Sequence, residues 1–209
     1  VEAYGTSYSD LAGAWWNWAL NQPPGMNPIL DETGEYCEVG QDEDWGQGKK
    51  IFFLAGNFGG VSVRECTVPK GKALFFPLAN QLFVTPEEGT VEEVRAFANA
   101  GVNPTSVLEC LIDGVPIADL FAYRAQSPPG GSPFEVRPGS FAATLIPARG
   151  PEPAVSDGYW LLVKLGHGEE HVIEFSAKSG DPETPDFELS VTYYLTVVGD
   201  DDDQGDDEQ

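Results

Sequence analysis

"DFELSVTYYLTVV", residues 186–198, alternates apolar and polar positions almost without a break. Phe187, Leu189, Val191, Tyr193, Leu195 and Val197 fall on one face, and Glu188, Ser190, Thr192, Tyr194 and Thr196 on the other. Period two over that length marks an antiparallel strand with one buried and one wetter side. The same chemistry recurs upstream. "GYWLLVKL" (158–165) and "EHVIEFSA" (170–177) are read as two preceding strands, and "KIFFLAG" (50–56), "VSVRECTV" (61–68) and "KALFFPLA" (72–79) as three more. "SVLECLI", Asp113-Gly114 and "VPIADL" form a hairpin, because an Asp-Gly pair supplies the two positive-φ residues of a type I′ turn. "GSFAATLI" (139–146) is read as a further strand among Pro- and Gly-rich loops. The pattern as a whole predicts a mainly β fold: an antiparallel, jelly-roll-like β-sandwich with two short helices and long loops.

The first helix is expected through "DLAGAWWNWALN" (10–21), capped by Ser9, with Asp10 in its first turn and "QPPG" stopping it. Leu11, Ala14, Trp15 and Trp18 then share a face, so the three indoles are read first as core. The second helix is expected over 91–99, because Thr90 and Glu93 form a T-x-x-E capping box, and it should end near Gly101. Between the first helix and the first long strand, residues 27–49 read as an irregular loop.

The 209 residues carry 34 acids against 11 bases, a formal charge of −23. About −16 of it belongs to residues 1–199, read as one sandwich domain, and the rest to the tail 200–209, "DDDDQGDDEQ". Such a field repels phosphate backbones and anionic headgroups, so nucleic acid and polybasic membrane attachment are poor partners. No run of 18 apolar residues offers a membrane-spanning helix. The chain opens at Val1, which fits a product whose signal peptide has been removed, and an extracellular or cell-surface location is expected.

Three cysteines lie in unrelated contexts with no C-x-x-C pair, which argues against structural zinc. Cys37 sits in the acidic loop and Cys66 ends a strand-like run, so these two are expected to pair. Cys110, between apolar neighbours, is expected as a buried free thiol. His167 and His171 have the H-x-x-x-H spacing of a zinc site, but Gly166 and Gly168 deny them a helix, and they read as turn and strand residues. No nucleophile elbow, P-loop or dinucleotide fingerprint occurs.

Calcium is the cofactor the composition motivates, because hard cations want six to eight oxygen ligands. Two segments are candidates: Asp31, Glu32, Glu35, Asp42, Glu43 and Asp44 in the loop, and Asp200, Asp201, Asp202, Asp203, Asp206 and Asp207 in the tail. Neither matches an EF-hand. The tail has nothing apolar to bury, so ions or a neighbouring subunit are expected against it.

"GAWWNWAL", "IFFLAG", "CTVPKGKALFFP", "DGYW" and "FELSVTYYLTVV" together resemble a widespread family of uncharacterised, predicted secreted bacterial proteins. The resemblance covers most of residues 4–198 and is most specific over Cys66–Pro77. It implies export and a cysteine in each of the two paired loop regions, and it transfers no catalytic residue.

Two functions are therefore expected to compete. One is a secreted, non-enzymatic structural protein that assembles with copies of itself or with the cell envelope, its acidic surfaces bridged by calcium. The other is a glycan-binding module or glycan-active hydrolase, with Trp15, Trp16, Trp18, Trp45 or Trp160 stacking on sugar rings beside a pair of carboxylates. An exposed row of indoles would favour the second.

Overall fold

Residues 2–199 are described by the structure, a computed structural model. A small hairpin of β1 (Glu2–Ala3) and β2 (Thr6–Ser7) leads into α1 (Tyr8–Leu20). After the long loop come β3 (Ile51–Phe53), β4 (Gly60–Pro69), β5 (Ala73–Val84), α2 (Val91–Val102), β6 (Thr105–Ile112) and β7 (Val115–Pro116). The remainder is β8 (Arg124–Gln126), β9 (Ser132–Val136), the single turn α3 (Ala142–Leu145), β10 (Arg149–Lys164), β11 (Glu170–Gly180) and β12 (Pro185–Val198).

Two five-stranded sheets face each other. The first runs β3-β5-β10-β8 with β9 also on β10, and the second runs β4-β12-β11-β6-β7. The chain passes back and forth between them, the jelly-roll-like habit expected. Pairing is antiparallel except at β3 with β5 and β4 with β12, which are parallel. The exceptions follow from the crossing itself: β4 leaves for the second sheet before β5 returns beside β3, so the two neighbours point the same way.

The sheets enclose a core of Leu74, Phe76, Leu78, Leu161, Phe175, Val191 and Leu195, among others. The hidden face of β12 is the one its alternation marks, apart from Phe187, which lies at the rim with 40% of its surface exposed. The first sheet is buried on its other face as well, because α1 lies across it. Trp15, Trp18, Phe53, Phe75 and Trp160 interlock there, Phe75 stacking on Trp160 at 5.3 Å and Trp15 meeting Trp160 edge-on at 5.5 Å. Burial on two faces explains why "ALFFPL" is an unbroken apolar run.

Several boundaries move. Ser7, not Ser9, caps α1, its Oγ accepting the Asp10 N–H, so the helix starts earlier than expected. The Thr90–Glu93 capping box forms, but α2 runs through Gly101 to Val102, since Asn103 N–H still finds the Asn99 carbonyl. "GSFAATLI" is not a strand. Ser140 Oγ accepts the Ala143 N–H and starts the one-turn α3, a third helix, while β9 takes the pairing beside β10. The Asp113-Gly114 turn is made, at φ 51° and 75°, but only Val115 and Pro116 pair back before the chain leaves the sheet.

Cys37 and Cys66 form a disulfide across a separation of 29 residues, pinning the long loop to β4. Cys110 is the buried free thiol, and desolvation pushes its pKa up to about 12, so it is no nucleophile at neutral pH. Replacing the pair (Cys37→Ala with Cys66→Ala) releases a loop of this length in the unfolded chain. Urea unfolding should show a loss of roughly 2–4 kcal/mol.

Candidate functional site

The loop that carries the first six acids is built around Asp31. Its carboxylate, only 6% exposed as a residue, accepts the N–H groups of Thr33, Gly34 and Tyr36 at 2.8–3.0 Å and the Thr33 hydroxyl at 3.0 Å. Burial pushes the Asp31 pKa up, but these donors together outweigh it and hold the carboxyl below the usual range. Gly34, at φ 93°, then lies flat on β4: a Cβ there would stand 2.0 Å from the Glu65 carbonyl oxygen. No side chain fits.

Asp31 is thus occupied with its own loop. Glu32, Glu35 and Asp42 are exposed, Glu43 is paired with Arg137 at 2.6 Å, and Asp44 accepts the Gly46 and Gly48 N–H groups. The loop does not gather these six carboxylates. Among the described residues, no group of three or more His, Cys, Asp or Glu side chains is placed to hold a metal ion. Asp200, Asp201, Asp202, Asp203, Asp206 and Asp207 lie outside the described residues.

The histidines separate as their glycines require. His167 is exposed in the turn between β10 and β11, while His171, near the start of β11, is buried and bonds through Nδ1 to Asp113 Oδ2 at 2.8 Å. That bond, followed by one from Val172 N–H, lowers the Asp113 pKa. Its structural effect is to pin the Asp-Gly turn onto β11. His171 Nε2 is buried and has no partner among the described residues.

The tryptophans form no exposed row. Trp15, Trp16, Trp18 and Trp160 are buried, and the first three donate their indole N–H groups to the Leu54 carbonyl, Ser156 Oγ and the Val39 carbonyl. Trp45 is half-buried, with the Arg137 guanidinium 3.9 Å over its ring. The glycan reading loses the observation that would have favoured it.

What the sequence reading missed is a free sheet edge. In parallel pairing with β12, alternate residues of β4 bond to the partner and the others aim N–H and C=O away from it. Glu65 belongs to the outward set, since its N–H reaches the Thr33 carbonyl at 2.8 Å, and Val61 and Val63 share its phase. The Asp31 loop therefore covers the edge at Glu65, and among the described residues nothing pairs with the outward side of Gly60–Val63. Val61 is 76% exposed and Val63 51%, both on the outer face of the sheet.

The other end strands of the two sheets are short or bridged. β7 is two residues long and includes Pro116, and β3 and β8 have three residues each. Along β9, Asn17 and Asn21 of α1 bridge to the backbone: their amides bond the Pro133 and Glu135 carbonyls and the N–H groups of Glu135 and Arg137. Against that background, Gly60–Val63 is a strand segment left available for another strand.

Compared with known proteins, the chain matched no family model, no curated protein and no solved structure.

Because Asp31 has a depressed folded pKa, the stability it contributes is complete above its unfolded value of about 3.9 and is lost as pH falls through the lower folded value. Asp31→Asn should lower stability at neutral pH by roughly 1–3 kcal/mol and flatten the loss below about pH 4, read by thermal melts across pH.

Proposed function

We propose that the protein is a secreted, non-enzymatic assembly protein whose copies join edge to edge along β4. The observation that carries this is the open edge of Gly60–Val63 with its two exposed valines, on the outermost strand of its sheet. A second copy is the fitting partner. Two identical strands related by a two-fold axis pair antiparallel, each outward N–H meeting a C=O of the other copy, and Val61 and Val63 of both copies would line one strip. Continuous sheets of this kind are a known route to association.

Charge sets the conditions. Each copy carries −23, and Glu32, Glu35 and Glu65 lie at the covered end of the same edge. Two such surfaces repel at low ionic strength, and screening shortens that repulsion to about 8 Å at physiological salt. Carboxylates from two copies could supply the oxygen ligands that one copy does not gather, so calcium is proposed as a bridge between copies. Export is supported by the Cys37–Cys66 disulfide, which fits an oxidising compartment.

Sedimentation velocity on the whole chain tests this directly. Dimers or larger species should grow as sodium chloride rises, grow further with calcium chloride, and fall back with a chelator. Val61→Lys with Val63→Lys should give monomer throughout with an unchanged melting temperature, since both side chains are exposed. A parent chain that stays monomeric at every salt and calcium concentration would sink the proposal.

A further inference from the structure

At one end of the sandwich the two sheets diverge and leave a cavity of about 530 Å³, within the range of small-molecule sites. Its wall includes no residue of Gly60–Val63, although Asn57 on that wall bonds the Gly60 carbonyl. Trp15 and Trp16 of α1 form part of its wall, with Phe134 of β9 and Ala142 of α3. Phe58, Leu145 and Phe187 also line it and stand at its rim, each at least 40% exposed. A folded chain rarely leaves aromatic side chains from four separate segments around one open hollow without use for it.

The polarity of the wall selects the occupant. Among its lining residues one is charged, Glu88, which follows β5 and is itself exposed. One Glu88 oxygen accepts the Val84 N–H at 2.6 Å, which fixes the carboxylate in place and leaves its other oxygen without a partner among the described residues. No lysine or arginine lines the cavity to receive a carboxylate or phosphate. The whole chain, at −23, repels anions further. Aromatic faces favour the opposite sign, since the ring quadrupole attracts an ammonium group.

We propose that this cavity binds a cationic amphiphile: a small apolar molecule that buries its hydrocarbon body between the sheets and sets an ammonium group against Glu88. Fatty acids and phospholipids find no lysine or arginine on that wall, only neutral donors such as the Asn80 amide. The valine edge and this cavity are independent, so a chain that never self-associates could still bind.

Titration calorimetry with three probes of equal chain length decides the matter: octyltrimethylammonium, octanol and octanoate, followed in parallel by the fluorescence of the lining tryptophans. The ammonium probe should bind one per chain, at least about tenfold more tightly than octanoate, with octanol between them. Ala79→Phe, which fills the cavity, should abolish binding of all three. Glu88→Gln keeps an oxygen for the Val84 N–H, and it should weaken the ammonium probe by about two- to fivefold while leaving octanol unchanged, even if the crowded variant fails to fold. Octanoate binding as tightly as the ammonium, no saturable binding by any probe, or a Glu88→Gln titration identical to the parent would each overturn the proposal.

Discussion

A single buried guanidinium organises this molecule. Arg64 sits on β4 with 1% of its surface exposed, its side chain turned inward between the sheets. Nε donates to the Asp31 carbonyl at 2.7 Å; Nη1 donates to the Ala55 and Gly56 carbonyls at 2.7 and 3.1 Å and to the Tyr193 hydroxyl at 2.8 Å; Nη2 donates to the Ile29 carbonyl at 3.2 Å. Tyr193, from the middle of β12, donates its hydroxyl hydrogen bond to the Ala55 carbonyl and accepts one from the Ala55 N–H. An isolated charge in such a place costs many kcal/mol, and it persists here because its donors meet backbone oxygens that would otherwise be buried unpaired. Three stretches of chain that share no secondary structure, the loop at 29–31, the bend at 55–56 and β12, are thereby fixed to one side chain.

The exposed features follow from that choice. With Arg64 inward, Ser62, Cys66 and Val68 are inward too, and Val61, Val63, Glu65 and Thr67 are left outside. The disulfide at Cys66 and the amide cage of Asp31 then press the loop onto Glu65, which closes one half of the edge and leaves the other open. The strand that holds Arg64 is therefore also the strand with the open edge. The cavity has a different origin: Trp15 and Trp16 of α1, Ala142 and Leu145 of α3 and Phe187 at the start of β12 line a gap that backbone pairing does not fill.

Much of the sandwich was legible because burial and alternation agree in β11 and β12, and because Thr90–Glu93 and Asp113-Gly114 act through local chemistry that sequence carries in full. The disulfide could be read from context, since Cys110 alone sat among apolar neighbours. β4 was legible as a strand, "VSVRECTV", but its two faces were not. Its valines face solvent and its arginine and serine face inward, so hydrophobicity assigns its faces the wrong way round. The one hint was phase: Arg64 is two residues from Cys66, and a side chain in step with a disulfide half-cystine faces the same way. Likewise, the acids of the loop looked like ligands because composition counts carboxylates without showing that Asp31 bonds to its own backbone. "GSFAATLI" failed where a serine cap outweighed an apolar run too short to hold a strand.

The most direct test of the account is the equilibrium unfolding of Arg64→Met, a side chain of similar reach without the donors. The buried carbonyls of Ile29, Asp31, Ala55 and Gly56 would lose their shared partner, and stability should fall by at least about 3 kcal/mol, with the amides of residues 29–36 exchanging first. An Arg64→Met protein within about 0.5 kcal/mol of the parent, with that loop still protected, would contradict the central place given to Arg64.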